Sequence, residues 1–157
     1  AMKPKVYLET TIPSLLTAWP SRDVLIAGQQ QATHDWWDQR RHRYQLFISG
    51  LVLAECRRGD KSAVRAREEV LAGCGVLEFP ESAQELARKI IASKLLPAKA
   101  AVDAAHIAVA AIHRADFLLT WNCRHIANAT IVDDVRAICA DEGYPPPVIC
   151  TPLELML

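Results

Sequence analysis

The thirty-residue stretch KAAVDAAHIAVAAIHRADFLLTWNCRHIAN, residues 99–128, constrains the fold of this chain more than any other. No Gly or Pro falls between Ala98 and Ala115, and the composition there is strongly helical. On a helical projection of about 100° per residue, Lys99, Asp103, His106, His113 and Arg114 fall within roughly one 100° wedge. The rest of the circumference is apolar, so a helix of this kind is buried on most sides and keeps one narrow polar stripe. Asp116 then breaks the pattern, and residues 117–120 form a short apolar run suited to a buried strand. Trp121, Asn122, Cys123, Arg124 and His125 follow at the strand's carboxyl end. In open α/β sheets that edge is where ligands bind.

The remaining segments repeat this alternation. Strands are expected at residues 6–8, 46–48, 76–79 and 148–150, besides the one at 117–120. Helices are expected at 24–43, 51–58, from the Gly59–Asp60 break through Leu71, at 81–94 and at 132–142. A turn with Thr and Ser caps and an early Pro13 leads out of the first strand. This alternation predicts one α/β domain over residues 2–157, with a mainly parallel sheet of about five strands and helices on both faces.

Bulk properties exclude several classes. Hydrophobic residues make up 51% and charged residues 23%, which is globular and not disordered. Eighteen basic residues balance eighteen acidic ones, so any nucleic-acid contact must come from a local patch. Five cysteines without a C-x-x-C pair predict reduced thiols. No signal-peptide pattern is seen, and no uncharged apolar run approaches about 18 residues, so a cytoplasmic protein is expected. Nucleotide-binding glycine motifs and the G-x-S-x-G elbow are also missing.

Three carboxylates fall where this topology would gather them. Glu9 ends the first strand, Glu55 lies in the helix after the second, and Asp103 lies in the first turn of the alanine-rich helix. Asn122 follows the fourth strand. Each interrupts an apolar setting, in which a carboxylate is costly unless it is paired or bound to a metal. Several carboxylates together repel one another, and a hard divalent cation such as Mg²⁺ or Mn²⁺ removes that penalty. Such a centre suits phosphodiester hydrolysis.

The segments V-Y-L-E-T-T-I, F-I-S-G-L-V-L-A-E-C, K-A-A-V-D-A-A-H-I-A-V-A and D-F-L-L-T-W-N-C-R-H-I, in this order, resemble the PIN-domain family. Within it they are most similar to VapC-type toxin ribonucleases. The resemblance spans nearly the whole chain and implies a three-layer α/β/α fold. It also implies an Mg²⁺- or Mn²⁺-dependent endoribonuclease leaving a 5′-phosphate and a 3′-hydroxyl, a cognate antitoxin, and a homodimer. By position, Glu9, Glu55 and Asp103 stand for the family's acidic residues and metal ligands, and Thr11 for the small polar residue that supports the first of them. Asn122 stands where many members have a fourth acidic residue.

Two departures follow from that alignment. Glu at position 9 reaches roughly 1.5 Å further than Asp would, and Asn122 keeps an oxygen but no charge. They leave open a catalytically weakened PIN fold that binds RNA or protein, and a metal-dependent phosphatase on a similar sheet is a third possibility. His125 is a candidate for phosphate contact or proton handling, and Arg57 and Arg58 for holding substrate phosphates. His106 is read as a structural hydrogen-bonding group. Trp36 and Trp37 are read as packing residues, and the basic cluster at residues 40–43 as a solvated helix end.

Overall fold

The computed structural model describes residues 2–156. Five strands form one sheet: β1 (Lys5–Leu8), β2 (Gln45–Ser49), β3 (Gly75–Leu77), β4 (Phe117–Leu119) and β5 (Val148–Cys150). All are parallel, in the order β3-β2-β1-β4-β5. Val6, Tyr7 and Leu8 are all buried, so the central strand is covered on both faces, as helices on each side of a parallel sheet require. The chain steps outward from β1 to β2 and β3, then returns to the other side of β1 for β4 and β5. The order therefore reverses between β1 and β4, the place where α/β sheets open a crevice at their carboxyl ends.

Seven helices connect the strands: α1 (Thr11–Thr17), α2 (Val24–Arg40), α3 (Gly50–Cys56), α4 (Lys61–Leu71), α5 (Glu81–Ala92), α6 (Ala101–Ile112) and α7 (Val132–Asp141). Capping side chains set several starts. Asp23 accepts from the Leu25 and Ile26 amides, Asp60 from Ser62 and Ala63, and Ser49 from Leu51. α5 packs against α6 and α7, while α1 packs against α2 and α4. The small side chains of α6, Ala104, Ala108, Ala110 and Ala111, are all buried. Each fully buried Leu or Ile of β1, β4 and α6 adds about 1.5–3 kcal/mol of transfer free energy to this core. Among the described residues, no helix is long and apolar enough to cross a membrane.

Several boundaries differ from those expected. The alanine-rich helix is shorter than its composition suggests. Lys99 lies in a 3-10 turn before it, His113 caps its end, and Arg114 turns left-handed at φ +58°. Only Asp103 and His106 of the expected stripe therefore belong to the helix itself. The third strand lies one to two residues earlier than expected, since Gly75–Leu77 are the residues that pair with Phe47–Ser49. Thr120 leaves the β4 ladder, and residues 41–43 tighten to a 3-10 turn.

Two members of the basic cluster, Arg40 and Arg41, are tied down, while His42 and Arg43 are exposed. Arg41 sits 5.0 Å over the Trp37 ring and donates to the Trp37 carbonyl, and Arg40 donates to the carbonyl of Met156. Trp36 is fully buried, as a packing residue should be.

Candidate active site

Glu9 immediately follows the central strand, and the residue is only 4% exposed. Burial at this level needs hydrogen bonds to the charged form. Oε1 supplies the acceptor for three donors: the Thr11 amide at 3.0 Å, the Thr11 hydroxyl, and the Thr120 hydroxyl at 2.8 Å. The hydroxyls are themselves held. Thr11 Oγ1 accepts the Trp121 amide at 2.8 Å, and Thr120 Oγ1 accepts the Asn122 amide at 2.9 Å. The two loops that flank the β1–β4 crevice are thus stitched together through one carboxylate.

Glu55, the sixth residue of α3, is the second carboxylate. Its Oε1 accepts the Thr10 hydroxyl at 2.7 Å and lies 2.7 Å from Nε2 of His106. Burial pushes the Glu55 carboxyl up, but the hydrogen bonds from His106 and Thr10, with the charge of Arg58, outweigh it. The net effect holds it below the ordinary carboxylate value.

Asp103 and Asn122 face each other across the crevice. Asn122 Nδ2 donates to Asp103 Oδ1 at 3.0 Å, and Nδ1 of His125 lies 3.0 Å from Oδ2. The His125 amide donates in turn to Asn122 Oδ1. Glu9, Thr10, Thr11, Glu55 and Trp121 line one pocket of about 350 Å³, which Asp103 does not line. A larger pocket of about 540 Å³, between α5 and α6, is lined mostly by apolar groups such as Phe79, Ile91 and Val102. It offers no acid or nucleophile, so the smaller pocket is the chemical one.

The sequence-predicted residues are therefore partly assembled. Glu9, Glu55 and Thr11 share a pocket, and Asp103, Asn122 and His125 form an adjoining cluster. Arg57 and Arg58 do not line the pocket. Both are exposed just beyond Glu55, with Arg57 Nε 3.9 Å from Glu68. Among the described residues, no three or more His, Cys, Asp or Glu side chains are gathered closely enough to hold a metal ion. The expected three-carboxylate centre is not drawn together in this arrangement.

Two of its members nevertheless have the chemistry for a hard cation. Glu9 and Glu55 each use Oε1 for protein donors, and among the described residues Oε2 of neither receives a hydrogen bond. Asp103, by contrast, has both oxygens engaged. Cys56, beside Glu55, is no nucleophile: burial pushes its thiol up to about 11.

Sequence reasoning passed over Thr10 and Thr120, whose hydroxyls hold the two glutamates. It also passed over Tyr7 and Ser49, which bond behind His106. The signal was present in the doubled Thr after Glu9 and in a Tyr within an otherwise aliphatic strand.

The family pattern of the PIN domain matches residues 24–129. No curated protein matches the chain. Among solved structures, the chain is similar to FitAcB from Neisseria gonorrhoeae, with a TM-score of 0.62 at 16% identity over 96% of this chain and 99% of that one. It is similar to Mycobacterium tuberculosis VapC20, a sarcin-ricin loop cleaving toxin, at TM-score 0.60 and 17% identity, over 80% of this chain and 95% of that one. VapBC2 from Rickettsia felis, bound to a DNA fragment from its promoter, gives 0.59 at 13% identity over 93% and 97%. At these identities the likeness is one of fold.

Proposed function

Because the chain belongs to the PIN-domain family, we propose that it is a metal-dependent endoribonuclease, the VapC-type toxin of a toxin–antitoxin pair. We read residues 2–157 as one such domain, cytoplasmic and homodimeric, with an antitoxin protein as partner and RNA as substrate. The observation that carries this reading is the pocket at the β1–β4 switch point, into which two glutamates are set with one carboxylate oxygen each unused.

Glu9 and Glu55 would hold Mg²⁺ or Mn²⁺ through those oxygens, with Asp103 joining as third ligand once its contacts with Asn122 and His125 open. The ion, when bound, supplies neutralisation of phosphate charge and a more acidic water. The chain supplies the rest. Thr11 and Thr120 fix the Glu9 carboxylate, and Thr10 fixes that of Glu55. Asn122 completes the pocket without adding charge. Arg57 and Arg58, exposed beyond Glu55, contact the phosphates of the RNA strand, and His125 contacts RNA beside Asp103.

The engagement of both Asp103 oxygens favours one competing reading, a PIN fold that binds RNA or protein without cutting. Cleavage of a pool of structured and single-stranded RNA separates the two. Wild type is compared with Asp103→Asn in Mg²⁺ or Mn²⁺ and in chelator. Metal-dependent cutting that disappears in Asp103→Asn supports the nuclease. No cutting by either protein, with RNA still retained, makes the binding module the better reading.

A further inference from the structure

His106 lies on α6, one turn after Asp103, and is 0% exposed. Both of its ring nitrogens are within hydrogen-bond distance of side chains: Nδ1 is 2.7 Å from the Tyr7 hydroxyl and Nε2 is 2.7 Å from Glu55 Oε1. Tyr7, also fully buried, has its hydroxyl 2.8 Å from Ser49 Oγ, and Ser49 Oγ accepts the Leu51 amide at 3.2 Å. A chain of four groups thus runs from the start of α3, through the sheet, to Glu55.

The proton pattern of that chain follows by elimination. Burial, with Glu9 and Glu55 nearby, pushes the Tyr7 phenol well above its ordinary value, so it keeps its single proton. A neutral imidazole protonated on Nδ1 would turn a bare Nε2 lone pair toward the Glu55 carboxylate at 2.7 Å. Two acceptors without a proton between them repel, and the imidazole, 0% exposed, cannot turn that nitrogen to water instead. In a neutral ring the proton therefore sits on Nε2. Nδ1 then accepts from Tyr7, Tyr7 accepts from Ser49, and every buried polar atom in the chain has a partner.

We infer that His106 is a positioning residue for Glu55, its Nε2–H holding Oε1 while the Ser49–Tyr7 chain satisfies Nδ1 and Oε2 is left for a ligand. A carboxylate fixed by an oriented imidazole presents one oxygen in one direction, which is what a pocket needs before anything binds. The inference deepens the nuclease reading and rests on it only for its effect on rate.

The test has two arms. In the first, long-range ¹H–¹⁵N correlation spectra of the metal-free protein report the His106 tautomer. The expected pattern is Nε2–H in wild type, retained in Tyr7→Phe because the Glu55 carboxylate selects it. An Nδ1–H ring, or a mixture in wild type, overturns the inference whatever the protein does to RNA. In the second arm, His106→Gln, which can place an N–H near the Nε2 position, is compared with His106→Asn, which cannot. His106→Asn is expected to lower kcat roughly 10- to 100-fold with KM little changed, and His106→Gln to recover much of that loss. Equal losses in two variants that melt like wild type overturn the positioning role. If wild type itself does not cut, the nuclease reading fails while the first arm still decides the tautomer.

Discussion

Thr120 and Glu9 stand 111 residues apart in the chain, yet the Thr120 hydroxyl donates to Glu9 Oε1 at 2.8 Å. Thr120 is fully buried, and its oxygen also accepts the Asn122 amide, so this one side chain links the central strand to the loop after β4. Thr120→Val keeps the shape and removes the hydroxyl. It leaves Glu9 with donors from Thr11 alone and orphans the Asn122 amide. Denaturant unfolding is expected to show a loss of about 1–3 kcal/mol, and RNA cleavage to fall roughly 10- to 100-fold.

Glu9→Asp tests whether the longer acid is used. Retraction by roughly 1.5 Å draws the carboxylate away from hydroxyls on two different loops, so at least one charged hydrogen bond is lost. The expected cost is about 1.5–3 kcal/mol, read as a lower denaturation midpoint at unchanged slope. Cleavage is expected to fall as well. A rise in cleavage would mean that the Thr11 and Thr120 contacts do not set the working position of this carboxylate.

Glu55 makes a pH prediction. Its carboxyl is held below the ordinary value in the folded protein, so its contribution is fully present above the unfolded value of about 4.3. That contribution is lost as the pH falls through the lower folded value. Unfolding free energies of wild type and Glu55→Gln, measured from neutral pH downward, should therefore differ most above about pH 4.3 and converge below it. A constant gap would show that the folded carboxyl is not depressed.

Gly75 allows β3 to lie close to β2. A Cβ there would stand 2.7 Å from Cδ1 of Phe47, its ladder partner. Gly75→Ala is expected to cost about 1–3 kcal/mol by overpacking, seen as a lower melting temperature. Adding Phe47→Leu should return part of the loss, since the clash is with the aromatic ring.

The backbone plan was legible because each signal was local. Val6, Tyr7 and Leu8 announce a buried strand, Asp23 and Asp60 announce helix starts, and the Ala-rich run from Ala101 announces a helix with nowhere to go but inside. What was not legible depends on distance. Nothing near Arg114 in the chain says that it will turn left-handed and end α6. Thr120 reads as one more strand residue until the topology brings β4 beside β1. His106 looked structural, and it is hydrogen-bonded at both nitrogens, but its partners lie 99 and 51 residues away. The carboxylates were named from the sequence. Their separation into a Glu9–Glu55 pocket and an Asp103–Asn122–His125 cluster was not, because hydrogen-bond partners decide where each side chain turns.

The central place of β1 has a consequence for synthesis. Of these five strands, the first to leave the ribosome is the one that must wait for neighbours on both sides, β2 on one edge and β4 on the other. At roughly 5–20 residues per second, Thr120 follows Glu9 by on the order of ten seconds. Until then Glu9 has no partner from β4, and the crevice has only one wall. A nascent chain therefore carries its acids without their arrangement.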